Sequence, residues 1–464
     1  MVPNLALSTH WDGAFVASVT MQIHHGGRWR DAATIEIEHP ERGIASPCAL
    51  DYDVDYFADF ASIDLADGIE VVDWRALSVG VAVDMRYRAS PRWPAFLLDL
   101  LPQGDARRRL ARELGFDSPD PPTVDHPLLL RGAGGPIGNL RVREAWEGEQ
   151  ARVAAEVARN GPCPGVTLDA ILARADPFPW VAERFALVAS GSSGVQGEWP
   201  KILMTQAADG LWYPDSVVPD ADARAHVIVK LSRGKQREDA VILESEAPYL
   251  EVARAFGLRV AKPLIHAPHV LVIPRFDRLV TAEGVVRYGQ ESLVSALGVA
   301  EFGHMGTHER YIEVLARVAT DPAGEVVEYV LRDLLNRAMG NPDNHGRNTA
   351  LAKRPDGSIA LTPLFDFAPM ALDPSAIGRA TKWACMGNLD PFPDWALICE
   401  TAAADVMNPA DLMAAVAETE GFLRDLPRIA RRHGVPVEAI ERACRFHDDM
   451  AERVAVLKRF RHGL

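Results

Sequence analysis

The sequence has no long apolar run and no paired cysteines, and each absence removes a class of protein. No stretch approaches the roughly 18 consecutive apolar residues that a membrane-spanning helix requires. The opening MVPNLALSTHWDG has no basic segment ahead of an apolar one, so no secretory signal is expected. The five cysteines, Cys48, Cys163, Cys385, Cys399 and Cys444, are scattered and form no CxxC pair. An odd, dispersed set implies reduced thiols in a cytoplasmic protein rather than a disulfide framework or a cysteine zinc site. Basic charge is in deficit too: 49 Lys and Arg against 64 Asp and Glu leave a formal charge of -15. This argues against bulk nucleic-acid binding by the chain alone, which would need a basic surface, although DNA remains reachable through a basic partner. Low-complexity tracts, internal repeats and a GxxxxGK phosphate loop are also missing, and the last absence disfavours a P-loop NTPase.

What is present is an ordinary globular composition, 48% hydrophobic and 24% charged, over 464 residues, long enough for two or three subdomains. Residues 1 to about 145 read as mixed strand and turn with some helix. FVASVTMQI and DAATIEIEH alternate as strands do, joined by a turn HHGGRWR. RWPAFLLDLLP and DARRRLARELG are helical in pattern, with Gly115 as a stop. Gly132, Gly134 and Gly138 superficially suggest a dinucleotide loop. A fingerprint of that kind should open a helix, whereas NLRVRE continues as a short strand, so these glycines are read as a turn.

The segment from 146 to about 180 is charged and then Pro-rich, and is read as a connection or insertion. FALVAS, KILMTQ, LWYPDS and HVIVKL then follow as short strands of an antiparallel sheet, interrupted by a helix SEAPYLEVARAFG. After PRFDR the chain turns mostly helical, with VVEYVLRDLLNRAMG and MAERVAVLKRF the clearest periodic segments. The layout is α+β: a small sheet with one helix, then a larger helical half.

The chemistry concentrates between Arg332 and Pro369. A helix with Val326, Val330 and Leu334 on one face ends at Gly340, and the loop NPDNHGRN presents Asp343, His345, Arg347 and Asn348. Two strands follow, hinged on Pro355-Asp356-Gly357, a strong hairpin signal. A fold centred between Asp356 and Gly357 places Asn348 opposite residue 365, so Asp366 falls within one residue of it. A carboxylate and an amide oxygen brought together in this way suit magnesium, a hard cation that takes a few protein oxygens plus substrate phosphates. Asp343, five residues before Asn348, stands where a base should meet an incoming hydroxyl. D-x-x-x-x-N followed by a carboxylate beyond a hairpin is the arrangement of base, metal amide and metal carboxylate used in phosphoryl transfer. Taken singly these residues are turn formers and caps; only their joint spacing carries the reading. His345 either orients the loop or takes part in chemistry, and Arg347 either reaches a phosphate or is a solvated charge.

Three further elements join this loop. Lys230 ends the apolar strand HVIVKL; it is either a snorkelling lysine at a strand edge or a phosphate-binding lysine held by Glu246 at the start of the next helix, with Glu244 the competing partner. The segment SGSSGVQGEWPK contains Ser192, Ser193, Gly194, Val195, Gln196 and Lys201. It is a plain loop or one that lays backbone N–H groups over phosphates, with Lys201 helping. IPRFDR puts Pro274, Arg275 and Phe276 between the sheet-rich and helical halves, where a linker's backbone would meet an adenine edge.

With these pieces in order, the chain resembles the HipA family of bacterial serine/threonine kinases, toxins of type II toxin–antitoxin modules. The resemblance runs from about residue 95 to about 370, through LLPQG, IGNLRV, HVIVKL, SEAPYLEVARAFGL, PRFDR, NPDNHGRN and LTPLFDF. It implies a two-lobed, protein-kinase-like fold with a sheet-rich N-lobe, a mostly helical C-lobe and an extra N-terminal α/β subdomain. The subdomains would span 1–150, 151–277 and 278–464. The family's D-x-H-x-x-N loop corresponds to Asp343, His345 and Asn348, its metal aspartate to Asp366, its phosphate lysine to Lys230, its helix glutamate to Glu246 and its hinge to Pro274–Phe276.

The Ser-rich loop departs from the family pattern. It keeps Gly194 and Gln196 but has Gly191 at the first serine position, and a longer spacing to Lys201. Because relatives autophosphorylate a serine of this loop, Ser193 is the candidate, with Ser192 behind it. The resemblance further implies ATP and Mg2+ as cofactors, and a protein substrate in the translation machinery, often an aminoacyl-tRNA synthetase. A HipB-like antitoxin would supply the contact with DNA. Two rival readings stay open from the residues: a small-molecule kinase of aminoglycoside type, and a repressor-complex binding module with little turnover.

Overall fold

The computed structural model describes residues 16–187, 199–234, 236–389 and 392–462. The first sheet comprises β1 (Ala17–His25), β2 (Arg28–Ile37), β3 (Cys48–Tyr52), β4 (Arg88–Ser90) and β5 (Leu140–Val142), antiparallel in the order β4-β3-β2-β1-β5. Alternation puts Val19, Met21 and Ile23 into one core with Ile35 and Ile37, closed by Leu97, Leu98, Leu110 and Leu128 from the covering helices. The turn between β1 and β2 is tighter than the sequence suggests. Only Gly26 and Gly27 form it, and His24 and His25 pair with Trp29 and Arg28 as strand residues.

Beyond β5 the structure departs from expectation. Arg143–Asn160 is an 18-residue helix rather than a connection, and it runs through position 150 without a break. Its periodicity is hard to read because only Ala145, Glu149 and Glu156 are buried, a thin face made of one small residue and two carboxylates.

The second sheet holds β6 (Lys201–Ala207), β7 (Trp212–Pro214), β8 (Ala223–Leu231), β9 (Ile265–Ala267) and β10 (Val270–Pro274), in the order β7-β6-β8-β10-β9. One face supplies Ile202, Met204, Val227, Val229, Val270 and Val272 to a core shared with Ile171, Phe178 and Val181. The period of two therefore turns Lys201, Ile228, Lys230 and Ile273 to the other face. FALVAS, expected as a strand, is helical over Ala182–Leu187, and residues 188–190 lie outside the described part. The helix Arg237–Phe256 is longer than its pattern suggests, and Glu246 sits at its middle rather than its start.

The helical half does not begin at once after PRFDR. A hairpin of β11 (Arg278–Thr281) and β12 (Gly284–Arg287) comes first, followed by β13 (Gly289–Ser292). β14 (Gly306–Thr307) then precedes the helices His308–Val318 and Pro322–Ala338. Further along, β15 (Ala350–Lys353) joins β13 to β16 (Ile359–Leu361), and β17 (Thr381–Lys382) pairs in parallel with β14. Helix Pro322–Ala338 is capped by Asp321, whose Oδ1 accepts from the Gly324 N–H at 3.1 Å, and Pro322 at its first position needs no partner for a missing N–H. Val326, Val330 and Leu334 are fully buried on one face, in a core that also takes Tyr249 and Leu250 from helix Arg237–Phe256. Among the described residues no helix is long and apolar enough to cross a membrane.

Polar contacts fix the first subdomain to the rest. Arg275 and Arg278 donate to the Pro136 carbonyl at 3.3 and 3.1 Å, and Asp277 accepts from the Gly138 N–H at 2.8 Å. Lys353 donates to the Ala76 carbonyl at 2.9 Å, while Glu291 accepts from the Ser78 hydroxyl and, at 2.9 Å, from the Val79 N–H.

Candidate active site

Helix Pro322–Ala338 delivers the chain into a loop held by its own amides. Asn341 donates to Asn336 Oδ1 at 2.8 Å and accepts from the Asp343 N–H at 3.2 Å. The loop then turns back on itself: the Asn348 N–H bonds the His345 carbonyl at 2.8 Å, and Asn348 Nδ2 donates to the Asp343 carbonyl at 3.1 Å. That second bond fixes which end of the Asn348 amide remains to accept. His345 Nε2 lies 3.5 Å from Asp343 Oδ1, where the ring can orient the carboxylate. Gly346 packs against Tyr311 so closely that a Cβ there would fall 2.3 Å from the Tyr311 hydroxyl, so the loop has room for glycine alone.

The hairpin that follows is centred on Asp356, which moves the pairing register by one residue from the expected one. Lys353 pairs with Ile359, and the Gly357 N–H bonds the Arg354 carbonyl at 2.9 Å with Gly357 at φ 85. The extra turn residue in the left-handed region shifts the register. Pairing ends at Leu361, after which the Leu364 N–H bonds Arg259 O at 2.8 Å and Asp366 itself adopts φ 50, a conformation an aspartate tolerates better than most residues. This reversal, rather than continued ladder pairing, brings Asp366 back. Asn348 and Asp366 line the same two connected hollows, one of which also contains Asp343.

Opposite them stands the second sheet. Lys201 and Lys230 are directly paired across β6 and β8, an arrangement that two like charges disfavour unless anions intervene. The anions are present. Lys230 Nζ donates to Asp366 Oδ1 at 2.8 Å and to Glu246 Oε2 at 2.5 Å, and Lys201 Nζ donates to Asp366 Oδ2 at 3.3 Å. Glu246 is thus the partner of Lys230 and Glu244 is not. Burial opposes the Lys230 charge, but Asp366 and Glu246 outweigh it and hold the ammonium above its ordinary range. Asp366 is likewise penalised by burial, yet Lys201 and Lys230 pull it well below the usual carboxylate range. Burial raises Glu246, only partly countered by Lys230. Asp343 is raised by burial and by the Asp366 charge against the opposing pull of His345.

The cleft between sheet and loop is apolar at its far end, where Val260, Leu264, Ile273 and Leu364 meet Phe276, whose ring lies 5.9 Å from that of Phe365. Such walls fit a planar heterocycle, with the lysines and Asp366 at the other end for its charged tail. Two residues expected at the ligand are held by other groups of the chain. Arg275 spends its N–H on the His226 carbonyl at 3.0 Å, and its guanidinium is buried on Asp277 at 2.7 Å and Asp215 at 3.1 Å. Arg347 is nearly buried as well, donating to Asp99 Oδ1 at 2.5 Å and the Glu301 carbonyl at 3.2 Å, so it is not a solvated charge. Ser192, Ser193, Gly194, Val195 and Gln196 lie outside the described residues.

Sequence reasoning missed Asp99, a lone carboxylate in the apolar run LLDLLP, a pattern that could have marked it. It also missed Asn344, which clasps Thr381 through its carbonyl at 3.0 Å and its N–H at 3.3 Å. Among the described residues no three His, Cys, Asp or Glu side chains gather as a complete metal cage. Asn348 and Asp366 offer two oxygen donors, the number expected of an ion that takes its other ligands from phosphate and water, so the donor set fits magnesium.

Residues 193–424, half of the chain, match the HipA-like C-terminal domain family. A curated relative from Sinorhizobium fredii (strain NBRC 101917 / NGR234), named "Putative kinase Y4mE", is 29% identical over 315 residues, covering 64% of this chain and 69% of the relative. HipA of Shewanella oneidensis MR-1, solved in a toxin–antitoxin complex with HipB and operator DNA, superposes with a TM-score of 0.60. The identity is 15%, over 96% of this chain and 99% of that one, and the likeness is one of fold.

Proposed function

Because the chain belongs to the HipA-like kinase family, we propose that it is an ATP- and magnesium-dependent serine/threonine protein kinase acting as a toxin in the cytoplasm. The observation that carries this reading is the meeting of Lys230, Glu246 and Asp366 opposite the loop bearing Asp343 and Asn348. Lys230 and Lys201 would neutralise the nucleotide phosphates, exchanging Asp366 for phosphate oxygens. Asp366, freed from the lysines in this way, would hold magnesium together with Asn348. Magnesium, when bound, supplies charge neutralisation on the transferred phosphoryl group. Asp343 would accept or orient the proton of the acceptor hydroxyl, with His345 steadying its carboxylate. Little covalent help is needed, because a loose transition state is served mainly by positioning and charge.

Protein hydroxyls, rather than small molecules, are the proposed acceptors, in a component of the translation machinery such as an aminoacyl-tRNA synthetase. A HipB-like, DNA-binding antitoxin is the proposed partner, in line with the complex in which the Shewanella protein was solved. Its basic surface would supply what the net charge of -15 withholds. Ser193 is the proposed autophosphorylation site, since a dianionic phosphate there would compete for the donors that ATP uses.

The test is transfer of labelled γ-phosphate, to the chain itself and to lysate proteins, by wild type and Asp343→Ala. The variant should lose about 10²- to 10⁴-fold in rate while still binding ATP, and intact mass should show one phosphate in wild type that Ser193→Ala lacks. Normal transfer by Asp343→Ala would overturn the assignment.

A further inference from the structure

We infer that Asp99, on the N-terminal subdomain, is a positioning residue for Asn348, setting through Arg347 the turn that presents the metal-binding amide. The inference rests on the phosphotransfer reading of the site. Asp99 lies in the short helix Leu97–Leu100 of the N-terminal subdomain. Its Oδ1 accepts from Arg347 Nη1 at 2.5 Å and from the Ser292 hydroxyl at 2.8 Å, and its Oδ2 accepts from the Ser292 N–H at 2.9 Å. Ser292 is the last residue of β13 and the cap of helix Leu293–Ala296, so Asp99 grips a point already fixed by two elements.

Among the described residues Arg347 pairs with no carboxylate other than Asp99. Its second amino group donates to the Glu301 carbonyl, and its guanidinium carbon sits 5.7 Å over the Phe302 ring. Only 9% of Arg347 is exposed, so without Asp99 the cation would be buried and unpaired. Such a group moves to reach water or another anion, and Asp99 and Arg347 both line the cleft that contains Asp366. Arg347 is covalently joined to Asn348. On the other side of it, Gly346 is wedged against Tyr311 and Val294, so displacement passes to Asn348 rather than being absorbed upstream. The N-terminal subdomain thereby completes the metal half of the site, although the bases and ligands all come from the other lobes.

The experiment measures ATP affinity of the full chain by calorimetry, with magnesium and with chelator, for wild type, Asp99→Ala, Asp99→Asn, Arg347→Ala and the double variant Asp99→Ala/Arg347→Ala. A residue one shell behind a metal ligand should cut the magnesium-dependent gain in ATP affinity by about tenfold or more in Asp99→Ala. Affinity in chelator should not fall, since a freed Arg347 can only add a cation to the cleft. Asp99→Asn, whose single oxygen keeps one of the two acceptances from Ser292 and which carries no charge, should fall between and serves if Asp99→Ala folds poorly. The double variant should be no worse than Asp99→Ala, because the two residues act in series. A lower melting temperature with an undiminished magnesium gain would make Asp99 merely structural and overturn the inference. So would additive losses in the double variant. A wild type whose ATP affinity ignores magnesium would instead sink the underlying reading of the site, and this inference with it.

Discussion

Asp343 is held under opposed influences: burial and the nearby Asp366 charge raise its carboxyl, while His345, Asn348 and Lys230 pull the other way without prevailing. The sign of the pH effect follows. Transfer requires the ionised carboxylate, so the acid limb of kcat/KM reports protonation of Asp343 in the free protein and lies above the ordinary carboxylate range. His345→Ala removes a neighbour that lowers the Asp343 carboxyl, so the limb should move to still higher pH in a pH–rate profile. A limb that stays or moves down would show that His345 does not bear on Asp343. At this scale the sequence was informative where chemistry dictates residue type: Lys230, Glu246, Asn348 and Asp366 meet in one place. It was misleading where a charge near the site serves packing. Arg347 looks like a phosphate ligand or a solvated charge in one dimension, because its carboxylate, Asp99, lies 248 residues away in the chain. No local pattern announces such pairs.

The hairpin of β15 and β16 shows how much an element's outline can be read and how much cannot. Pro355-Asp356-Gly357 marks the turn, but the bulge at Gly357 moves the register by one, and the return of Asp366 depends on its own left-handed backbone. Helix Arg143–Asn160 was illegible because its buried face consists of Ala145 and two glutamates. The strand β15 also carries Lys353, almost fully buried against Glu291, which in turn holds the Ser78 hydroxyl and the Val79 N–H of the first subdomain. Lys353→Met leaves that carboxylate buried without its cation, so urea unfolding should show a loss of about 3–5 kcal/mol. A loss within experimental error would mean that the pair is not a fastening between subdomain and hairpin.

On the scale of the whole molecule, the site lies where three packed bodies converge. The second sheet brings the lysines, the helical half brings Asp343, Asn348 and Asp366, and the first subdomain reaches in with Asp99. The two kinase-like parts were visible in the sequence because each carries its own signature spacing. The first subdomain's contribution was not, because its contacts with the catalytic loop span 248 residues of chain. The decisive measurement is a crystal structure with magnesium and a non-hydrolysable ATP analogue. The account predicts one ion bridging Asn348 Oδ1, Asp366 and the phosphates, with Lys230 and Lys201 turned from Asp366 onto phosphate oxygens. A nucleotide bound elsewhere, or an ion touching neither Asn348 nor Asp366, would contradict it.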